Sequence, residues 1–298
     1  MSEKMKIALF GAAGQVGTDC AEALTQAGYV VISLTRNDVD FSQPDAVAQQ
    51  VKSLKPDLVI NACAYTAVDN AEKEKDLADL VNHQSVAAMA GSCAGLAIPL
   101  LHISTDYVFD GTATSPYQEN DSVKPLGIYG ETKLAGEKAI QDRMDQYIIL
   151  RTSWVFGEQG NNFVKTMLRL GADRDQLSVV EDQVGRPSYV GDIVTAIESF
   201  VTAYENDQTL PWGIYHCSSE GETSWYDFAK AIFEKAFALG VLEKQPALSA
   251  IPSSQYPTPA PRPAYSVLAT EKLEKFMGAP LPHWSKGLDT FINNMKSQ

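Results

Sequence analysis

Apolar residues in the first half of the chain fall into short runs separated by stretches with helical spacing. Lys6–Phe10 is such a run, followed at once by glycines, and Val30–Leu34, Leu58–Asn61, 99–104 and Tyr147–Thr152 continue the series. Between them 16–27, Pro44–Leu54 and 77–95 have the length and composition of helices, and Gly28 is a good stop for the first. Strand and helix alternate five times. That spacing predicts βαβ units and an α/β fold, a doubly wound parallel sheet of Rossmann type.

After Trp154 the texture changes. Helices are expected over 161–170, 192–204 and 224–239, the last with Ser224 as its N-cap, and strands over 177–180 and 213–217. Residues 246–263 are rich in proline and serine and predict an extended surface segment without regular structure. The expected organisation is a dinucleotide-binding domain over residues 1–155, to which the chain returns around 177–215. Residues 156–298 would form mainly a smaller α/β substrate lobe, closing over the C-terminal strand ends where open α/β sheets bind ligands.

Composition narrows the class without naming a reaction. The chain has 298 residues, 45% of them hydrophobic, enough for a large core. No stretch approaches the roughly 20 apolar residues of a membrane span, and the first residues lack the longer apolar region of an export signal. A formal net charge of -13 argues against a nucleic-acid partner, which would need a basic surface. Cys20, Cys63, Cys93 and Cys217 are scattered without metal-ligand spacing, as expected of reduced thiols in a cytoplasmic protein.

The first chemical signal is Gly11-Ala-Ala-Gly14-Gln15-Val16-Gly17, between the first strand and the first helix. Small residues let the backbone turn sharply and approach a pyrophosphate, and the helix N-terminus offers free N–H donors. Its spacing is GxxGxxG, and its place at the start of a βαβ series points to a dinucleotide. The second strand ends Leu34-Thr35-Arg36, with acids only later at Asp38 and Asp40. A guanidinium there suits a 2′-phosphate and favours NADPH, with NADH still allowed.

The second signal is Tyr129-Gly-Glu-Thr-Lys133 at the start of a predicted helix. Residues four apart share a helix face, so the Lys133 ammonium is expected beneath the Tyr129 ring, drawing the phenol pKa down toward the working pH. Upstream, Ser104-Thr105-Asp106 closes the fourth strand, where the Thr105 hydroxyl can orient a substrate oxygen. Together they suggest hydride transfer at a carbonyl, with Tyr129 protonating the developing alkoxide.

In this order GxxGxxG, Asn61-Ala62-Cys63-Ala64, Ser104-Thr105 and YxxxK resemble the extended short-chain dehydrogenase/reductase family. Longer matches resemble its dTDP-4-dehydrorhamnose reductase branch: the segments 65–72, 104–111, 151–157, 160–163 and 182–189, and Arg262-Pro263 with Ser266. That branch reduces the 4-keto group of dTDP-6-deoxy-L-lyxo-4-hexulose to dTDP-L-rhamnose with NADPH or NADH. The resemblance implies Thr105, Tyr129 and Lys133 as the catalytic set. It also implies cofactor contacts at the glycine loop, Arg36, Asp40, Phe41, Ala62, Cys63, Ala64, Tyr65, Tyr129 and Lys133. The dTDP-sugar would be met by Thr105, Asp106, Tyr107, Val108, Trp154, Asn162, Gln183, Arg186 and Arg262, with Trp154 against the sugar.

Two departures stand out. Cys63 and Tyr65 occupy a region often Ala and His in the family. Some relatives dimerise through a magnesium site, but while Asp19 matches one ligand, Gly191 stands where the other acid belongs. No metal is expected, and a homodimer stays open. Two other readings also remain: a non-catalytic regulatory subunit resembling the methionine adenosyltransferase beta subunit, and a reductase or epimerase for a different nucleotide sugar.

Overall fold

Ile7 and Leu9 point to one side of the first strand and Ala8 and Phe10 to the other, and both sides are fully buried. A strand with two apolar faces needs helices above and below it. The computed structural model, which describes residues 4–296, supplies them. Strands β1 (Lys6–Phe10), β2 (Val30–Leu34), β3 (Leu58–Asn61), β4 (Leu100–Thr105) and β5 (Tyr147–Thr152) form a parallel sheet with Gly213–His216. Its order is β2-β1-β3-β4-β5, then Gly213–His216 against β5. The strands all run one way, but the order in which they are added reverses between β1 and β3, leaving a crevice at their C-terminal ends.

One sheet face packs on helix α1 (Gln15–Gln26) and the Val190–Asp207 helix through Cys20, Leu24, Ile193, Ile197 and Phe200. The other packs on helix α2 (Pro44–Leu54) and the Ser85–Leu96 helix through Val47, Val51, Met89 and Cys93. Each such side chain contributes about 1.5–3 kcal/mol by leaving water. A third core holds Phe156, Val164, Leu168, Phe228, Ile232 and Phe291. It lies among the Phe163–Asp173, Trp225–Ala238 and Trp284–Lys296 helices.

Three expectations need correction. Residues 246–263 are not wholly irregular: Ala247–Ile251 is a strand, parallel to Gln176–Val180, with Leu248 opposite Leu177 and Ile251 opposite Val180. Its apolar positions outweigh the serine-proline composition, and Pro252 ends it. Since Gln176–Val180 pairs there, the return to the large sheet begins only with the Val190–Asp207 helix. The helix expected over 77–95 is three pieces: Lys75–Asp79, a π-helical turn Leu80–Gln84, and Ser85–Leu96. The widened turn carries Asn82, whose Oδ1 accepts from the Tyr65 N–H at 2.8 Å and whose Nδ2 donates to the Tyr65 carbonyl at 3.2 Å. Met1–Glu3, within the stretch read for an export signal, lie outside the described residues, and no described helix is long and apolar enough to cross a membrane.

Candidate active site

The crevice between β1 and β3 holds a cavity of about 490 Å³. Its wall includes Gly11, Gly14, Arg36, Asp40, Phe41, Ala62, Cys63, Ala64 and Tyr65 of the residues expected to meet a cofactor. Two glycines are required there by contact. Gly11 has φ +82°, and a Cβ on it would sit 2.7 Å from the Ala62 carbonyl carbon; a Cβ on Gly17 would sit 2.1 Å from the Gly11 carbonyl oxygen. Helix α1 starts at Gln15 with Gly14 as N-cap and no side chain capping it, so its first N–H groups face the loop unclaimed by a cap. A dinucleotide pyrophosphate fits such a cradle.

Gln15, Val16, Gly17, Tyr129 and Lys133 are not part of this wall. Val16 packs toward the core below the loop. Gln15 Oε1 instead accepts from Asn162 Nδ2 at 3.0 Å, tying the glycine loop to the third core. Beyond β2, the two acids fold back on their own turns. Asp38 accepts from the Thr35 N–H and hydroxyl, and Asp40 from those of Ser42, all at 2.8 Å, which holds both carboxyls below their usual range. Arg36 is exposed at the cavity rim.

Beside β4, Tyr129 enters from the first turn of the Ile128–Gln141 helix, whose N-cap is Gly127. Close approach fixes this helix: a Cβ on Gly130 would lie 2.2 Å from the Tyr107 carbonyl oxygen. The Tyr129 ring meets Tyr107 edge-on, centroids 5.4 Å apart. Burial pushes the Tyr129 phenol up to about 12, while a hydrogen bond with Thr105 works against it. Thr105 also donates to Asp106 Oδ1 at 3.1 Å, and burial raises that carboxyl to about 6.

Lys133 is not where the helical spacing put it. Its Nζ donates to the Ile103 carbonyl at 2.7 Å and meets His102 Nε2 at 3.2 Å, and the group opposing the rise of Tyr129 is Thr105. The long lysine stem reaches across to β4 instead of folding under the phenol.

The residues expected to meet a sugar nucleotide divide in three. Thr105, Asp106 and Tyr107 sit around Tyr129. Val108 is fully buried in a small core with Phe109, Tyr117, Leu134 and Leu268, so its side chain is structural. The others stand on separate loops with partners of their own. Gln183 donates to Ser253 Oγ at 3.0 Å, Arg186 to the Leu268 carbonyl at 3.1 Å, and Arg262 pairs with Asp69 at 2.9 Å. Asn162 caps the Phe163–Asp173 helix, its Oδ1 accepting from the Lys165 N–H at 3.1 Å. Trp154 stacks on Trp225, centroids 3.5 Å apart, so that ring face is already taken. The sequence reading missed Asn61, Asn82, Asp69 and His102 as partners. A histidine inside an apolar central strand was the one signal available.

The family model described as RmlD substrate binding domain matches residues 5–297. The dTDP-4-dehydrorhamnose reductase of Escherichia coli (strain K12) is 42% identical over 294 residues, 98% of each chain. The chain belongs to the dTDP-4-dehydrorhamnose reductase family. It is thus an oxidoreductase on a Rossmann-type sheet. The crystal structure of a family member from Bacillus anthracis str. Ames, in complex with NADP, matches with TM-score 0.90 at 35% identity, covering 98% of this chain and 100% of that one. The UDP-glucose 4-epimerase of Thermus thermophilus, in complex with NAD, matches at TM-score 0.79 and 20% identity, covering 98% and 99%, and shares the fold. Among the described residues no group of three or more His, Cys, Asp or Glu side chains is arranged to hold a metal, and all four cysteines are unpaired.

Proposed function

We propose that the protein reduces the 4-keto group of dTDP-6-deoxy-L-lyxo-4-hexulose to dTDP-L-rhamnose for polysaccharide biosynthesis, with Tyr129 as proton donor. The observation that supports this reading is the contact of Tyr129 with Thr105 at the end of β4, one strand from the glycine-loop cavity, with the Lys133 amine held on the same strand by the Ile103 carbonyl. Bound NADPH, or NADH, would supply the hydride. Gly11, Gly14 and the start of α1 would hold the pyrophosphate, and Arg36 the 2′-phosphate. Thr105 would orient the substrate oxygen. Tyr129, kept protonated by burial, then has a proton to give as the alkoxide forms.

Residues 1–155 would serve chiefly the cofactor, with Asp106 and Tyr107 among them also meeting the nucleotide sugar, and the later residues would serve the sugar through Asn162, Gln183, Arg186 and Arg262. Unpaired thiols and reliance on a reduced nicotinamide support a cytoplasmic location. The assay is oxidation of NADPH and NADH, followed at the nicotinamide absorbance with the 4-keto substrate. Wild type should turn over, and Tyr129→Phe should lose about 10²–10⁴-fold in kcat. Cofactor binding without turnover would favour a regulatory subunit or an enzyme for a different nucleotide sugar, and a fully active Tyr129→Phe would remove Tyr129 from the mechanism.

A further inference from the structure

The Lys133 amine ends a line of hydrogen bonds that starts in the cavity wall. The Cys63 N–H donates to Asn61 Oδ1 at 3.0 Å. The other end of that amide, Nδ2, lies 3.0 Å from His102 Nδ1. His102 Nε2 lies 3.2 Å from Lys133 Nζ, which also donates to the Ile103 carbonyl at 2.7 Å. Asn61 and His102 are fully buried and Lys133 is 1% exposed, so the groups must satisfy one another.

Directions follow from what each atom can do. Only Oδ1 can accept the Cys63 N–H, so Asn61 turns its Nδ2–H toward His102. Nδ1 must then be a bare acceptor, and the neutral imidazole carries its hydrogen on Nε2. That N–H faces Nζ, where an amine has a lone pair and an ammonium has none. An ammonium needs the opposite tautomer, whose Nδ1–H opposes Asn61 Nδ2–H unless the amide turns its NH₂ against the Cys63 N–H. Either way a buried donor loses its acceptor, at about 1–3 kcal/mol.

We propose that Asn61 and His102 are positioning residues for the reaction: their one-way line of hydrogen bonds selects the Nε2–H tautomer of His102 and favours the amine form of Lys133 over the ammonium. This rests on the reading of Tyr129 and Lys133 as the working pair. A lysine that titrates near the working pH can exchange a proton with its surroundings; one locked as a cation supplies charge alone.

The surrounding groups leave that balance to the line. Glu137, one turn further along the same helix, favours the ammonium, but Arg151 on β5 holds its carboxylate at 2.7 and 3.0 Å. From the β3 side, burial pushes the Cys63 thiol up to about 11 and keeps it neutral. Tyr129 is neutral for the same reason. On β4, burial and then Lys133 push His102 well below its usual range. Behind Arg151, burial and that guanidinium push His216 down to about 3. Burial takes Lys133 itself down to about 8, so the amine form gains as pH rises through that value.

The test uses the folded, full-length protein. Nitrogen-15 NMR of wild type at a pH well above the Lys133 inflection, where the amine predominates, should find His102 as the Nε2–H tautomer, and finding Nδ1–H there overturns the proposal without touching the assignment of Tyr129. In Asn61→Asp the carboxylate accepts from both the Cys63 N–H and His102 Nδ1–H, reversing the tautomer and presenting a lone pair to the ammonium. The Lys133 inflection, read in the pH profile of kcat and in the shift of its Cε, should move up by about one pH unit or more. An inflection that stays in place overturns the proposal. Should that variant not fold, the wild-type tautomer still decides.

Discussion

Burial sorts the ionisable side chains of this site into different proton states. Tyr129 is driven toward the phenol, Lys133 toward the amine and Asp106 up to about 6, each chiefly by loss of water. Arg36 is exposed at the cavity rim, where the proposed reading has it contact a bound anion. Asp38 and Asp40 are turned back on Thr35 and Ser42, and on the proposed reading the guanidinium reads the ribose in their place. Arg36→Ala should therefore raise KM for NADPH by about tenfold or more and leave that for NADH nearly unchanged. Equal effects on the two cofactors would mean that Arg36 does not read the 2′-phosphate. At this scale residue types were legible from sequence and their partners were not. YxxxK placed Tyr129 and Lys133 on one helix face, but a helix rule knows nothing of His102 and the Ile103 carbonyl, which lie on β4 and capture the amine.

Elements were easier to read where burial on two faces left only apolar residues. Lys6–Phe10, Val30–Leu34, Leu58–Asn61 and Tyr147–Thr152 have the bounds their apolar runs suggested. Ala247–Ile251 escaped because it is half-exposed and its pairing with Gln176–Val180 depends on residues about 70 positions away. The Ile128–Gln141 helix shows what local pattern omits. Glu137 and Arg151, both nearly inaccessible, form a two-pronged ion pair that clamps this helix to β5. Glu137→Ala would strand the Arg151 charge in the interior and should cost about 3–5 kcal/mol in urea unfolding. Glu137→Gln, which retains an acceptor for the guanidinium, should cost less. A loss below about 1 kcal/mol for the alanine variant would mean that water or Glu119 takes over the guanidinium.

At the scale of the whole molecule, a chain of net charge -13 has to hold an anionic cofactor and an anionic sugar nucleotide against its own field. On the proposed reading it does so with local devices, a helix N-terminus and single arginines, brought together by contacts between the large sheet and the third core. Asn162 is one such contact, and it does two things with one amide. Its Oδ1 caps the Phe163–Asp173 helix while its Nδ2 reaches Gln15 beside the glycine loop and the Gly157 carbonyl. Substitution can separate the two. Asn162→Ser keeps a capping oxygen but has no amide to reach Gln15; Asn162→Ala loses both. The alanine variant should be less stable than the serine variant by about 1 kcal/mol, read as a difference in urea midpoint. Both should raise KM for the nicotinamide cofactor to a similar degree, because each frees the start of α1 from the third core. If KM follows stability instead, rising in Asn162→Ala and not in Asn162→Ser, then Asn162 acts as a helix cap and the glycine loop holds its shape through Gly11 and Gly17.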